Sequence, residues 1–209
     1  MRKAIIFDFD GPVVDSLVNN YVAYQEMWRH LKVPIPFANL KEFQNWHDPY
    51  WPNNLKRLGV KDEKMFAESE KVYRKVTQSR TVAVVPGIKK VLQQLSRKYL
   101  LALVSSNYEL EVEQKLKDHD LKKYFKVIIT YHQEFVKPNP GQFHIAMKRL
   151  NVTPKETATV GDSANDILTG KNARLRETVA ISWGWYTTER LIKDFKQLKI
   201  QPTALLHSP

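Results

Sequence analysis

Two aspartates near the start of the chain, Asp8 and Asp10, follow an apolar run from Ala4 to Phe7 and precede Gly11. Where the chain turns, one carboxylate can attack a substrate as a nucleophile while the other serves the leaving group as acid and base. The N–H groups of such a turn can also cradle phosphate oxygens. Asp-x-Asp-Gly alone is a common turn, so its meaning depends on partners elsewhere.

A second pair of aspartates, Asp162 and Asp166, follows the apolar run Ala158–Val160. They lie four residues apart across a predicted strand-to-helix turn, so both can reach one hard divalent ion. Magnesium suits them, because it prefers carboxylates, water and substrate phosphate. The chain has no cysteine, so a metal would need oxygen or imidazole ligands. A Gly-Asp pair before a helix can also be a simple helix cap.

Two further fragments could handle phosphate: Ser105, Ser106 and Asn107 after a third apolar run, and Lys137 before Pro138. A carboxylate that attacks a phosphate monoester meets like-charge repulsion, which Lys137 would offset. Ser105 would donate a hydrogen bond to the transferring group. Each fragment has a simpler explanation, a helix cap or a surface loop. The four fragments together predict magnesium-assisted phosphoryl transfer, and we expect a phosphatase.

Short apolar segments that alternate with helical ones would position these residues. Strands are predicted at 3–8, 100–105, 126–130, 157–161 and 178–182, and helices at 88–98, 108–118, 140–150, 164–173 and 188–198. This alternation predicts an α/β fold with a parallel sheet covered by helices on both faces. Ligands bind outside the carboxyl ends of such strands, so Asp8, Ser105 and Asp162 are expected to meet there.

Residues 17–80 contain no convincing strand and are expected to form an all-helical unit inserted after the first strand. A helix from Leu17 to Leu31 follows a possible cap at Asp15-Ser16, and a charged helix is predicted from Lys61 to Ser79. Prolines break the stretch between them into loops and short helices. Residues 1–16 and 81–209 would then form the α/β core domain.

Composition limits the other classes of function. The 43% hydrophobic content supports a packed core, and no apolar run reaches the roughly 18 residues of a membrane span. The formal net charge of +11 is spread over the predicted helices, so we expect attraction of anionic substrates rather than specific nucleic-acid binding. A cytoplasmic location is the default expectation. The oligomeric state stays open, with a monomer slightly favoured.

In their order, the four fragments resemble the four motifs of the haloacid dehalogenase superfamily, in its phosphoglycolate phosphatase-like branch with a small helical cap. The resemblance extends from residue 3 to the C-terminal segment, including Ile181–Trp185, and is weakest at 17–80. It implies a Rossmann-like core. Two positions depart from the common pattern: Pro12 stands where threonine is common, and Arg174 stands where glycine is common.

The resemblance also implies roles for the residues. Asp8 would form an aspartyl-phosphate, and Asp10 would protonate the leaving alcohol and then activate water. Magnesium would be held by the Asp8 carboxylate, the Asp10 carbonyl and Asp162, with Asp166 binding directly or through water. The phosphoryl oxygens would be bound by Ser105 and Lys137, with Ser106 and Asn107 nearby. The substrate would be a small phosphorylated metabolite.

The inserted unit would close over the site and select the substrate. In its loop 44–54, Trp46, His47, Tyr50 and Trp51 could line the substrate entrance, or these aromatic residues could hold a small cap together. A metal site at His47 and Asp48 is not expected.

Three alternatives remain at this stage. A sugar phosphomutase or a phosphonate hydrolase would use the same core. A non-catalytic phosphoacceptor receiver also places aspartates and a lysine at strand ends, although the inserted helices and the acid Asp10 argue against it. Pyrophosphate and nucleotide monophosphates stay open as substrates.

Overall fold

A six-stranded parallel sheet carries the site. The computed structural model describes residues 3–132 and 134–207 of the chain. Its strands are β1 (Ala4–Phe7), β4 (Leu100–Val104), β5 (Val127–Ile129), β6 (Thr157–Gly161), β7 (Glu177–Ile181) and β8 (Ala204–Leu206). Across the sheet they lie in the order β5-β4-β1-β6-β7-β8. Two-residue strands β2 (Val14–Asp15) and β3 (Ala83–Val84) form a separate two-stranded sheet.

Helices connect and cover the strands of this sheet. They are α5 (Ile88–Ser96), α6 (Glu109–Asp118), α7 (Gly141–Leu150), α8 (Ala164–Asn172) and α9 (Thr188–Leu198), with short 3-10 turns at Lys122–Tyr124 and Pro154–Glu156. One buried cluster packs residues of β1, β4 and β5 against Phe143 and Met147 of α7. Another packs Ala164 and Ile167 of α8 against Phe195 of α9. The predicted α/β class with a parallel sheet is confirmed.

The strand register brings together the carboxyl ends of three strands, each of which is followed by polar residues. Central strand β1 pairs with both β4 and β6, and Phe7 lies opposite Leu103 on one side and Val160 on the other. Parallel strands end at the same edge of a sheet, so the residues that follow β1, β4 and β6 are neighbours.

The described residues divide into two compact units, one within Met1–Asp15 and Val84–Pro209 and the other Ser16–Ala83. The second unit contains α1 (Leu17–Leu31), α2 (Leu40–Trp46), α3 (Trp51–Arg57) and α4 (Glu63–Ser79). Its buried cluster includes Tyr24, Trp28 and Phe43. The capping role assigned to residues 17–80 stays a prediction.

Some local expectations were wrong or incomplete. Strand β8 was not predicted. Ser16 precedes α1, but its side chain makes no capping hydrogen bond to the helix. Helix α6 begins at Glu109, with Tyr108 rather than Ser106 or Asn107 before it. Arg174 has a φ of 56° after the end of α8, a left-handed conformation that explains why glycine is common there.

None of the helices in the described part of the chain is long and apolar enough to cross a membrane.

Candidate active site

Three carboxylates meet at the edge where β1 and β6 end. Asp8, Asp162 and Asp166 each present an oxygen, and these oxygens all lie within 4.8 Å of one another. Asp8 follows β1, and its N–H donates to the Val160 carbonyl at 2.9 Å. Asp162 follows β6, and Asp166 lies in the first turn of α8. This is the only group of three or more metal-ligating side chains among the described residues.

Lys137 lies among these carboxylates and is buried. Its Nζ donates to Asp8 Oδ1 at 2.6 Å, to Asp166 Oδ1 at 2.7 Å and to the Val104 carbonyl at 3.2 Å. These three bonds match the three hydrogens of an ammonium group. Lys137 therefore fixes Asp8 and Asp166 relative to each other and to the end of β4.

The polar residues after β4, Ser105 to Asn107, differ in their burial and in their hydrogen-bond partners. Ser105 is buried, and its Oγ accepts from the Asn107 N–H at 3.1 Å. Asn107 Nδ2 donates to Asp10 Oδ2 at 2.5 Å. Ser106 is exposed to solvent. The structure thus brings Asn107 to Asp10, while Ser105 lies beneath the same turn.

Asp162 is held by the segment that follows β7, for which the sequence predicts no role. The N–H of Trp185 donates to Asp162 Oδ2 at 2.5 Å. A Cβ atom at Gly184 or at Gly11 would collide with the same carboxylate, so both backbones lie against it. Gly11 also has a φ of 94°, which favours glycine. In the sequence, only the unusual Trp-Gly-Trp stretch after β7 marks this segment, and it does not reveal the contact between Trp185 and Asp162.

Asp166 is fixed by the start of its own helix. Its Oδ2 accepts from the Ser163 hydroxyl at 2.6 Å and from the Ser163 N–H at 3.1 Å. In return, Ser163 Oγ accepts from the Asp166 N–H at 3.2 Å. This is a capping box, with aspartate in the place of the usual glutamate. It leaves Asp166 Oδ1 directed to Lys137.

Burial opposes the ionisation of these acids. It raises the pKa of Asp8 to about 7, because burial and the charges of Asp166 and Asp10 outweigh the attraction of Lys137. The pKa of Asp162 is raised well above its ordinary value by burial and by the charges of Asp8 and Asp166. Burial pulls the pKa of Lys137 down, but its pairs with Asp166 and Asp8 more than offset this and raise it. Lys137 is therefore a permanent cation.

The donor set fits a hard divalent cation. Its oxygens come from carboxylates held in place by Lys137, Ser163 and the Trp185 N–H. Carboxylate oxygens are the ligands that magnesium and calcium prefer. A cation would also relieve the repulsion that raises the pKa values of Asp8 and Asp162.

The aromatic loop residues pack within the helical unit. Trp46 and Trp51 contact the buried cluster around Tyr24, His47 is buried, and Tyr50 is exposed. The Asp48 carboxylate accepts from the Tyr50 N–H at 2.8 Å and from Asn53 Nδ2 at 2.9 Å, so it braces its own loop. Trp46, His47 and Trp51 therefore contribute to holding this unit together.

Comparison with known proteins agrees with this fold and geometry. The profile of the haloacid dehalogenase-like hydrolase family matches residues 5–180. The chain belongs to this family.

Similar proteins identify the kind of enzyme. A phosphoglycolate phosphatase of Pseudomonas savastanoi pv. phaseolicola is 31% identical over 198 residues, covering 88% of this chain and 71% of that protein. The pyrophosphatase PpaX of Bacillus mycoides is 36% identical, over 87% of this chain and 84% of that protein. The chain is accordingly a phosphatase of its family.

A solved structure supports the fold. A haloacid dehalogenase-like family hydrolase from Streptococcus pneumoniae superposes with a TM-score of 0.83 at 22% identity, covering 100% of this chain and 95% of that one. The family profile and the two relatives, together with this fold, confirm the resemblance inferred from the four motifs.

Proposed function

We propose that this chain is a magnesium-dependent phosphatase that hydrolyses a small phosphate monoester through an aspartyl-phosphate on Asp8. The observation that carries the proposal is the cluster of the partly buried Asp8 with the buried Asp162 and Asp166, with Lys137 bonded to two of its members. An ionised carboxylate beside a fixed cation is suited to nucleophilic attack on phosphorus.

In the first step, an Asp8 carboxylate oxygen would bond to phosphorus while the bond to the leaving oxygen breaks. Asp10 would give its proton to that oxygen. In the second step, Asp10 would take a proton from water as the water oxygen attacks the aspartyl-phosphate, releasing phosphate and restoring Asp8. Lys137 and Ser105 would bind the phosphoryl oxygens, with Ser106 at the turn beside them.

Magnesium would be held by the carboxylates of Asp8 and Asp162 and by the Asp10 carbonyl, with Asp166 binding directly or through water. When bound, it would supply positive charge that draws an anionic phosphate to an anionic nucleophile. Lys137 alone cannot balance three carboxylates of which two are buried, which is the reason to expect the metal.

The relatives suggest the substrate class. A phosphoglycolate-like monoester is the first candidate, because a phosphoglycolate phosphatase is similar over most of the chain. Pyrophosphate is the second, because the pyrophosphatase PpaX is 36% identical. The helical unit, residues 17–80, would act as the cap that chooses between them.

Phosphate release from para-nitrophenyl phosphate tests the proposal. We expect magnesium-dependent turnover by the wild type and a loss of about 10³-fold or more in Asp8→Asn, whose amide is no nucleophile. Asp118→Asn is the matched control, since Asp118 is an exposed residue of α6. Equal rates for wild type and Asp8→Asn would end the proposal.

Product analysis separates the remaining chemistries. A phosphatase releases phosphate from both phosphoglycolate and an aryl phosphate. Isomer formation from a sugar phosphate without phosphate release would identify a mutase. Borohydride trapping with a phosphonoaldehyde would identify a phosphonate hydrolase.

A further inference from the structure

Asn107 is fixed on the side of Asp10 by contacts of its own backbone. Its N–H donates to Ser105 Oγ at 3.1 Å, and its carbonyl accepts from the Tyr131 N–H at 2.8 Å. These two bonds anchor Asn107 to the residue that directly follows β4 and to the segment after β5. The side chain is then directed to Asp10, where Nδ2 lies 2.5 Å from Oδ2.

This hydrogen bond makes the two oxygens of Asp10 unequal as positions for a proton. The amide nitrogen of asparagine has hydrogens and no acceptor capacity. Oδ2 therefore accepts from Asn107, and this bond favours Oδ1 as the oxygen that carries a proton on Asp10. The bond also limits rotation of the Asp10 carboxyl, because a turn of the group would break it.

We propose that Asn107 is a positioning residue that holds Asp10 with Oδ1 toward the leaving-group oxygen, instead of a phosphate ligand as its place in the motif suggests. This inference rests on the proposed function. As the phosphorus–oxygen bond breaks, its electron pair goes to the leaving oxygen. The Oδ1–H bond of Asp10 breaks, and the proton joins that oxygen. A carboxyl group free to rotate would be in the correct orientation for only part of the time.

The choice of substrate separates positioning of the acid from phosphate binding. para-Nitrophenolate can leave without being protonated. The alkoxide that leaves from phosphoglycolate must receive a proton as its bond to phosphorus breaks. The ratio kcat/KM includes only steps up to the departure of the leaving group, so the later use of Asp10 as a base does not affect it. A phosphate ligand would matter equally for both substrates.

We expect Asn107→Ala to lower kcat/KM for phosphoglycolate by about 10- to 100-fold, as misplacement of a catalytic group does. With para-nitrophenyl phosphate, kcat/KM should change by no more than about threefold, and inhibition by inorganic phosphate should be unchanged. Asp10→Asn removes the acid completely and serves as the reference. It should lower kcat/KM for phosphoglycolate more than Asn107→Ala does, again with a much smaller change for para-nitrophenyl phosphate.

Asn107→Leu is the second variant, because it keeps a branched side chain of similar shape and the backbone bonds to Ser105 and Tyr131 but removes the amide donor without adding a charge. It should show the same selectivity, and it decides the question if Asn107→Ala does not fold. An equal loss of kcat/KM on both substrates, or no loss on either, overturns the inference. A wild type that hydrolyses neither substrate refutes the proposed function instead.

Discussion

The four aspartates of the candidate site, Asp8, Asp10, Asp162 and Asp166, have one buried cation among them, Lys137. Lys137 bonds to Asp8 and Asp166, while Asp162 receives a backbone N–H. Burial, together with the excess negative charge, raises the pKa values of Asp8 and Asp162, so without a metal these two carboxyl groups keep their protons to higher pH. Protons and a divalent cation therefore compete for the same oxygens.

This competition predicts a pH-dependent stabilisation by magnesium. The pKa of Asp8 is about 7 in the fold, against about 3.9 in an unfolded chain. Its favourable contribution to folding is complete below about pH 4 and is lost as the pH rises towards about 7. Magnesium binds the ionised form, so its increase of the Tm should be small near pH 5 and several degrees near pH 8.

Thermal unfolding with and without magnesium, across this pH range, measures the effect. Asp162→Asn removes one ligand and one buried charge, so its Tm should respond little to magnesium at any pH. A wild-type response of the same size at both ends of the range would contradict the metal assignment.

The chemistry of the site could be predicted from residue types, but its internal contacts could not. Asp8 and Asp162 each directly follow a strand of one parallel sheet, and the carboxyl ends of such strands lie at the same edge, so their meeting was predictable. The bond from Trp185 to Asp162 depends on the path of a loop, which no periodicity encodes. The bond from Asn107 to Asp10 joins two turns 97 residues apart and depends on their conformations in the same way.

Among the elements, α8 has the closest connection to the site, because its first turn supplies Asp166. Ser163 caps this helix and also binds Asp166 Oδ2. The same hydroxyl thus stabilises the helix and orients a candidate metal ligand. Such supporting contacts typically change metal affinity by about 10- to 100-fold.

Ser163→Ala should therefore lower both stability and magnesium affinity. Loss of the cap costs about 1 kcal/mol of unfolding free energy, and we expect magnesium binding to weaken by about tenfold. Urea unfolding measures the first effect, and magnesium titration of the activity measures the second.

Asp62→Ala is the matched control, since Asp62 caps α4 through a bond from the Met65 N–H at 2.8 Å. It should lose similar stability and keep its magnesium affinity. If both variants bind magnesium like the wild type, Ser163 is only a helix cap.

The predictability of the elements depends on their length and pattern. Long amphipathic helices such as α4 and apolar strands such as β4 and β6 were predicted close to their observed bounds. Strand β8 has three residues and follows Pro202, so its apolar pattern is too short to separate from a loop. Its pairing with β7 comes from the tertiary fold, which provides a free strand edge.

At the scale of the whole molecule, each unit has its own buried core. The α/β unit packs aliphatic side chains between sheet and helices, whereas the helical unit depends on aromatic ones. Loop residues Trp46 and Trp51 belong to this aromatic cluster, so an aromatic-rich loop did not by itself indicate a substrate entrance.

The aromatic cluster predicts a large difference between two substitutions in the helical unit. Trp28 is 1% exposed, and its ring centroid lies 5.0 Å from that of Trp46 and 5.2 Å from that of Phe37. Trp28→Ala would leave a cavity and should cost about 3–5 kcal/mol of unfolding free energy. Tyr50→Ala, at a side chain 39% exposed, should change it by no more than about 0.5 kcal/mol. Urea unfolding followed by circular dichroism measures both, and equal losses would contradict an aromatic core around Trp28.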